Sequence, residues 1–104
     1  MKRNKYRAIR TTVDGITFDS KKEANRYLEL KVLERIGEIS GLELQPKFSF
    51  ELCDVKICTY RADFKYTTLQ GEEIIEDVKG VKTAVYNIKK KLMKAFYGIE
   101  VFET

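Results

Sequence analysis

Alternation of apolar and polar side chains between residues 48 and 79 restricts the folds open to this chain more than any other feature. In its first run, Phe48 and Phe50 alternate with polar neighbours, which is the period of a half-buried strand. Runs of this kind cover residues 48–52, 60–66 and 73–79, separated by turns at residues 54–56 and 70–72. The pattern predicts three consecutive antiparallel strands.

Helical periodicity flanks these strands on both sides. Ser20 and Glu23 have capping-box spacing and predict a first helix over residues 20–36, and Thr83 caps a second helix that ends at Gly98. The apolar positions of the two helices are Ala24, Tyr27, Leu28, Val32, Leu33 and Ile36, then Val85, Ile88, Leu92, Met93 and Phe96. A last strand over residues 99–102 follows, and its crossover connection places it parallel to the third strand.

The chain therefore has the pattern of an α/β protein with a mixed sheet, in the order helix, three strands, helix, strand. Its 104 residues suffice for a single domain over residues 1–104. The turn at Asp14-Gly15 predicts a short hairpin or arm within the basic segment 1–18. Pro46 predicts that residues 41–46 form a connection.

The absence of histidine excludes several function classes. His-dependent triads, Cys-His nucleophiles and histidine zinc sites cannot be built, so any chemistry depends on carboxylates, lysine and a hard metal ion. Cys53 and Cys58 are too few for a zinc site and are expected to be buried or half-buried thiols rather than a disulfide. No apolar run reaches the roughly 18 residues of a membrane span, which predicts a cytoplasmic protein with no membrane partner.

Acidic residues in the strands and first helix are the candidate catalytic groups. Asp77 and Lys79 lie two apart in the third predicted strand, so their side chains share a face within about 7 Å. A hairpin brings Asp63 beside Asp77, where both can hold one Mg²⁺. The same tripeptide at Asp54-Val55-Lys56 falls in a turn and is interpreted as solvated.

Two of these acids have ordinary structural interpretations as well. Asp63, between Arg61 and Lys65, has the alternative of an exposed charge on a polar strand face. Glu23 has the alternative of a capping-box residue alone, although it lies on the inward helix face with Tyr27 and Leu30.

Together these motifs resemble the PD-(D/E)xK nuclease superfamily. The segments Phe18-Asp19-Ser20-Lys21-Lys22-Glu23, Leu44-Gln45-Pro46-Lys47-Phe48, Tyr60-Arg61-Ala62-Asp63-Phe64 and Asp77-Val78-Lys79-Gly80 are similar to a family of small phage-encoded proteins in it, related at a distance to Holliday-junction resolvases. Ala62 stands where the superfamily name has proline. The resemblance implies a restriction-endonuclease-like core and an endonuclease that uses Mg²⁺ or Mn²⁺ in phage DNA processing, with a preference for branched DNA as one possibility.

Roles follow from the resemblance for individual residues. Asp63, Asp77 and the backbone carbonyl of Val78 become metal ligands, with Glu23 as the helix acid and a further candidate ligand. Lys79 becomes the group beside the attacking water. Gln45 is either an auxiliary residue near the phosphate or a polar residue before a proline turn.

Basic residues near both ends of the pattern are candidate DNA contacts. They are Arg3, Lys5, Arg7, Lys82, Thr83, Lys89 and Lys90. The alternative is a solvated tail and helix face. Because one chain has one site, a double-strand or junction cut would require a homodimer. The other function classes are a DNA-binding or packaging accessory protein without turnover, and a purely structural phage protein.

Overall fold

The computed structural model of the protein describes residues 9–79 and 82–104 and has a mixed α+β fold. Its elements are β1 (Thr11–Val13), β2 (Ile16–Phe18), α1 (Lys21–Arg35), β3 (Ile39–Leu44), β4 (Lys47–Leu52), β5 (Val55–Arg61), β6 (Phe64–Thr68), β7 (Glu73–Asp77), α2 (Ala84–Tyr97) and β8 (Phe102–Glu103). Within the described residues, neither helix is long and apolar enough to cross a membrane.

A mixed sheet with the strand order β3-β6-β7-β8 forms the centre of the molecule. β3, β6 and β7 are antiparallel neighbours, whereas β8 runs parallel to β7. The helix α2 connects β7 to β8, so the predicted crossover is confirmed. The last strand is shorter than expected and begins at Phe102 rather than at residue 99.

The prediction that residues 41–46 form a connection was wrong over most of its length. Residues Ile39–Leu44 form β3, which pairs with β6. Gly41 has a φ of 64°, and the register shifts between Ser40 and Glu43. This irregularity obscures the period-two pattern of β3, because an extra residue in one strand changes which side chains face the core.

The predicted strand over residues 60–66 is two strands in the structure. Backbone hydrogen bonding changes at Ala62 and Asp63, so that β5 ends at Arg61 and β6 begins at Phe64. β4 and β5 pair only with each other and form a separate ribbon. The expected strand over residues 48–52 therefore exists as β4, but it lies outside the central sheet.

The helix boundaries were predicted well, whereas the helical period of apolar residues did not identify which side chains are buried. The side-chain oxygen of Ser20 accepts from the Glu23 N–H and that of Thr83 accepts from the Tyr86 N–H, as expected of helix caps. Gly98 ends α2 in the left-handed conformation. Several apolar positions that follow the helical period are exposed, namely Leu28, Val32 and Ile36 at α1 and Val85, Ile88 and Phe96 of α2.

Two apolar clusters lie on either side of the sheet strands. One packs α1 against the first hairpin, β3 and β6, through Leu30 and Phe64. The other packs α2 against the β4–β5 ribbon, through Phe50 and Met93. The predicted hairpin at Asp14-Gly15 is confirmed, and its tip accepts a hydrogen bond from the Tyr27 hydroxyl to Asp14 at 2.9 Å.

The two cysteines differ in exposure. Cys58 is half-buried as expected, whereas Cys53 is exposed at the β4–β5 turn, which corrects its prediction as a covered thiol. Cys53 and Asp54 both have positive φ values, 51° and 63°, at this turn. Their backbone shape places the Cys53 side chain outside the ribbon.

Candidate active site

Asp63 and Asp77 meet where β6 begins and β7 ends. Phe64 pairs with Glu76, so the next position in the register brings Asp63 opposite Asp77. The Asp63 N–H donates to the Glu76 carbonyl at 3.1 Å, and the Val78 N–H donates to Asp63 Oδ2 at 2.7 Å. The hairpin thus brings the two predicted acids together, although β7 ends before Val78 and Lys79.

Both oxygens of the Asp77 carboxylate have protein partners. The Tyr60 hydroxyl donates to Oδ2, and the Lys79 ammonium lies 3.1 Å from Oδ1. Asp77 is 1% exposed. The Lys79 ammonium also lies 4.3 Å from the centroid of the Tyr86 ring, which is close enough for a cation–π contact. Lys79 is therefore held beside Asp77 from two directions.

Burial and the charges of neighbouring carboxylates raise the pKa values of Asp63 and Glu23. Burial, a hydrogen bond with Asp77 and the Asp77 charge raise the pKa of Asp63 to about 8. Burial, followed by the charges of Asp19 and Asp77, raises the pKa of Glu23. Like charges this close cannot all be ionised without a compensating cation. Lys79 offsets part of this repulsion, and a proton or a metal ion would offset more of it.

Glu23 takes part in the cap of α1 through its backbone and lies on the inward face of the helix through its side chain, as both interpretations expected. Its backbone N–H donates to the Ser20 cap at 3.1 Å, while its side chain turns inward and is 7% exposed. A side-chain hydrogen bond between Glu23 and Asp63 opposes the rise in the Glu23 pKa. Asp63 and Asp77 therefore both influence the pKa of the helix acid.

The carboxylates of this site suit a hard divalent cation that also binds oxygen atoms of the substrate. Among the residues that the structure describes, no trio of acidic, cysteine or histidine side chains is arranged as a metal-binding group. Mg²⁺ is usually held by one or two carboxylates, with phosphate oxygens and water completing the shell. Asp63 and Asp77 supply that pair, and ion entry would require Oδ1 of Asp77 to exchange or share its Lys79 contact. The role of the Val78 carbonyl stays a prediction.

Backbone contacts hold the segment that follows β7. The Lys79 N–H donates to the Thr104 carbonyl, and the Thr104 N–H donates to the Asp77 carbonyl, both at 3.1 Å. The Lys22 ammonium donates to the Lys79 carbonyl, also at 3.1 Å. These contacts fix the direction of Lys79 without regular strand pairing.

Glu76, next to Asp77, is the centre of a buried network on the opposite face of β7. Arg26 donates to both of its oxygens at 2.6 and 2.9 Å. The Tyr66 and Thr104 hydroxyls donate to it at 2.7 and 3.1 Å. Glu76 is 0% exposed, and its four donors account for a carboxylate in this position.

The predicted DNA contacts fall into three groups. Arg3, Lys5 and Arg7 lie outside the described residues. Lys82 and Lys90 lie 3.2 and 3.0 Å from Glu103, which reduces the charge they offer to a polyanion. Hydrogen bonds from Tyr86 and Lys90 lower the pKa of Glu103 to about 2, so this acid is ionised at neutral pH.

Thr83 and Lys89 line a groove that also contains Lys79. The Thr83 hydroxyl serves as the cap of α2, and its oxygen accepts from the Tyr86 N–H at 3.1 Å. Gln45 has an exposed side chain, and its backbone N–H donates to the Asp63 carbonyl at 2.9 Å. Gln45 is thereby held next to the site through its backbone.

The duplicated tripeptide does not form a second site in the described residues. Asp54 and Lys56 are exposed at the start of β5, and the acid of the paired strand, Glu51, lies opposite Lys56 rather than Asp54. Tyr60 and Arg61 are the site neighbours that the sequence reasoning missed. For Tyr60 the available signal was its position, three residues before Asp63 in the same alternating run.

Comparison with known proteins identifies a family but no activity. A family model described as "Protein of unknown function (DUF1064)" matches residues 3–101. No curated protein and no solved structure matches the chain.

Proposed function

The chain belongs to the DUF1064 family, and we propose that it is a metal-dependent DNA endonuclease that hydrolyses phosphodiester bonds. The observation that carries this proposal is the pairing of a buried acid, Asp77, with the half-buried Asp63 and with a lysine beside it. Asp63 and Asp77 share one end of two neighbouring strands, and the Lys79 ammonium lies 3.1 Å from Asp77. A pair of repelling carboxylates is unfavourable in a buried position unless a cation or proton offsets it.

The order of elements around the sheet supports a relation to the PD-(D/E)xK superfamily. With the β4–β5 ribbon set aside as an insertion, the chain follows α1, β3, β6, β7, α2 and β8. This order agrees with the helix, three strands, helix, strand order that the resemblance implies, which supports the proposed relation. Glu23, Asp63, Asp77 and Lys79 occupy the positions in that order that the resemblance implies.

Each residue has a definite task in the proposed reaction. When bound, Mg²⁺ or Mn²⁺ supplies Lewis-acid polarisation of the phosphate and a lowered pKa for water. Asp63 and Asp77 would hold the ion, and Glu23, whose pKa both of them influence, is the candidate for a further ligand. Lys79 orients the attacking water and stabilises charge that develops on the phosphate. Water loses a proton to solvent as it forms the new oxygen–phosphorus bond, the bond from phosphorus to the leaving sugar oxygen breaks, and that oxygen takes a proton from solvent.

The alternative function is a DNA-binding or packaging accessory protein with this fold and no turnover. Carboxylates that face a phosphate lower DNA affinity, so their burial beside Lys79 favours catalysis over simple binding. A purely structural phage protein would leave the converging charges without a purpose. A phage origin, action in the host cytoplasm and a homodimer that cuts two strands belong to the same proposal.

The proposal is tested by incubating the purified protein with supercoiled plasmid and with a four-way junction. Reactions contain Mg²⁺, Mn²⁺ or EDTA, and the variants are Asp77→Ala and Lys79→Ala. We expect cleavage with either metal, none with EDTA and none with either variant. Cleavage that survives both substitutions would overturn the assignment of the site, and DNA binding without cleavage under every metal would favour the accessory function.

A further inference from the structure

A groove lies directly beside the acid pair, between the end of β5 and the first turns of α2. Its volume is about 280 Å³, and its polar lining consists of Tyr60, Arg61, Lys79, Thr83, Tyr86 and Lys89. We call it the β5–α2 groove. Arg61, at the end of the ribbon strand β5, forms one side of this groove. The sequence pattern placed Arg61 in a strand and suggested no function for it.

The charge of the β5–α2 groove is positive and largely uncompensated. No acid lines it. In residues 9–79 and 82–104, Arg61 and Lys89 form no ion pair, and Lys79 pairs with Asp77 alone. Two cations are therefore available to an incoming anion, with a third at the boundary to the acid pair.

A second basic groove on α2 provides the contrast. Its volume is larger, about 490 Å³, and its lining includes Lys90, Lys91, Lys94 and Glu100. Lys94 pairs with Glu100 at 2.8 Å, and Lys90 pairs with Glu103 at 3.0 Å. Most of its positive charge is neutralised by the protein itself, so size alone does not identify the anion site.

We propose that the β5–α2 groove binds a backbone phosphate of DNA adjacent to the phosphate that is cleaved, with Arg61 and Lys89 as its principal contacts. This inference rests on the proposed nuclease function. Lys79 lines the groove and also contacts Asp77, so a strand whose phosphate enters the groove continues past the acid pair. The planar guanidinium of Arg61 donates two parallel hydrogen bonds to phosphate oxygens, and Lys89 adds a point charge.

The test is a comparison of DNA binding by two charge-matched double variants. Arg61→Gln with Lys89→Gln removes two cations from the groove, and Lys91→Gln with Lys94→Gln removes two from the second basic groove. Binding of a fluorescent four-way junction and of a duplex is measured by anisotropy in EDTA, at several salt concentrations. Thermal midpoints of both variants should stay within about 3 °C of the parent, because the substituted side chains lie at the surface.

Two lost phosphate contacts set the expected size of the effect. At 0.1 M salt, the groove variant should bind roughly 10- to 60-fold more weakly, and the slope of log affinity against log salt should fall by about 2. The control variant should stay within about threefold, because Glu100 and Glu103 already neutralise most of the positive charge of the second basic groove. An equal loss in both variants, or no loss in the groove variant, overturns the inference.

Two further outcomes separate this inference from the proposed function. Loss of binding in the groove variant, with no cleavage by the parent under any metal, supports the groove while the nuclease proposal fails. Cleavage by the parent, with binding unaffected in the groove variant, supports the nuclease and overturns the groove. Poly-glutamate that competes as well as DNA of equal charge overturns the assignment to phosphate.

Discussion

Replacing Arg26 with methionine should destabilise the protein more than any other single substitution at a half-exposed position. Arg26 supplies both charged donors to Glu76, at 2.6 and 2.9 Å, and Glu76 is 0% exposed. Loss of one partner from a buried ion pair costs about 3–5 kcal/mol, because the remaining charge is left without compensation. Tyr66 and Thr104 still donate to Glu76, so we expect the lower end, about 3 kcal/mol.

A loss of about 3 kcal/mol corresponds to a fall in the thermal midpoint of roughly 12–24 °C for a domain of this size. Urea unfolding followed by circular dichroism at pH 7 measures it directly. Two controls apply. Glu29→Gln removes only the exposed contact at 3.4 Å and should cost less than about 0.5 kcal/mol. Adding Glu76→Gln to Arg26→Met should recover part of the loss, since the buried charge is gone.

The reasoning about this network would be refuted by either of two results. One is a cost below about 1 kcal/mol for Arg26→Met, which would mean that Glu76 is solvated in solution. The other is strict additivity of Arg26→Met and Glu76→Gln, which would mean that the two side chains do not interact.

Two further predictions concern the acid pair. Because the pKa of Asp63 is raised to about 8 by burial and by Asp77, the folded metal-free protein binds a proton that the unfolded chain releases near pH 4. The contribution of Asp63 to the free energy of unfolding therefore falls as pH rises from about 4 to 8. Asp63→Asn should flatten this fall when stability is measured by urea unfolding in EDTA at several pH values. An unchanged dependence of stability on pH would contradict the assignment. Tyr60→Phe removes the hydroxyl donor to Asp77 and should weaken Mn²⁺ binding by about 10- to 100-fold in calorimetry, since such donors orient a ligating carboxylate. Tyr66→Phe, which removes the equivalent donor to Glu76, should leave Mn²⁺ affinity unchanged, and an equal loss in both variants would contradict a specific role for Tyr60.

The sequence predicted the helices and the crossover because their signals are local. Ser20, Thr83 and Gly98 have cap chemistry that depends on a few neighbouring residues, and the structure places them at the helix ends. The faces of the helices depend on what packs against them. Leu28 and Val32 satisfied the 3.6-residue period and are nonetheless exposed, because α1 has apolar residues on more than one side.

The strands were harder to predict, since their pairing is set by distant residues. The bulge between Ser40 and Glu43 hides β3, and the break at Ala62-Asp63 divides one alternating run between the ribbon and the sheet. That break matters for the site. It ends the ribbon at Arg61 and begins the central strand beside Asp77.

Juxtaposition of Asp63 with Asp77 could be predicted from hairpin geometry, because an antiparallel register follows from the turn. Glu23 could be predicted from its helix face. The partners of these acids could not be predicted in the same way. Tyr60 reaches Asp77 from the ribbon, and Tyr86 reaches Lys79 from α2, so both contacts depend on packing between elements.

The identical tripeptides at residues 54–56 and 77–79 allow the most direct test of the catalytic site. One double variant, Asp77→Asn with Lys79→Met, changes the tripeptide at the site. The other, Asp54→Asn with Lys56→Met, makes the same change in the exposed tripeptide. Single-turnover cleavage of plasmid with Mg²⁺ is measured for both, with circular dichroism to confirm folding. The account predicts that the first variant loses at least about 10²-fold in rate and that the second keeps the parental rate. Equal rates for two folded variants would contradict it.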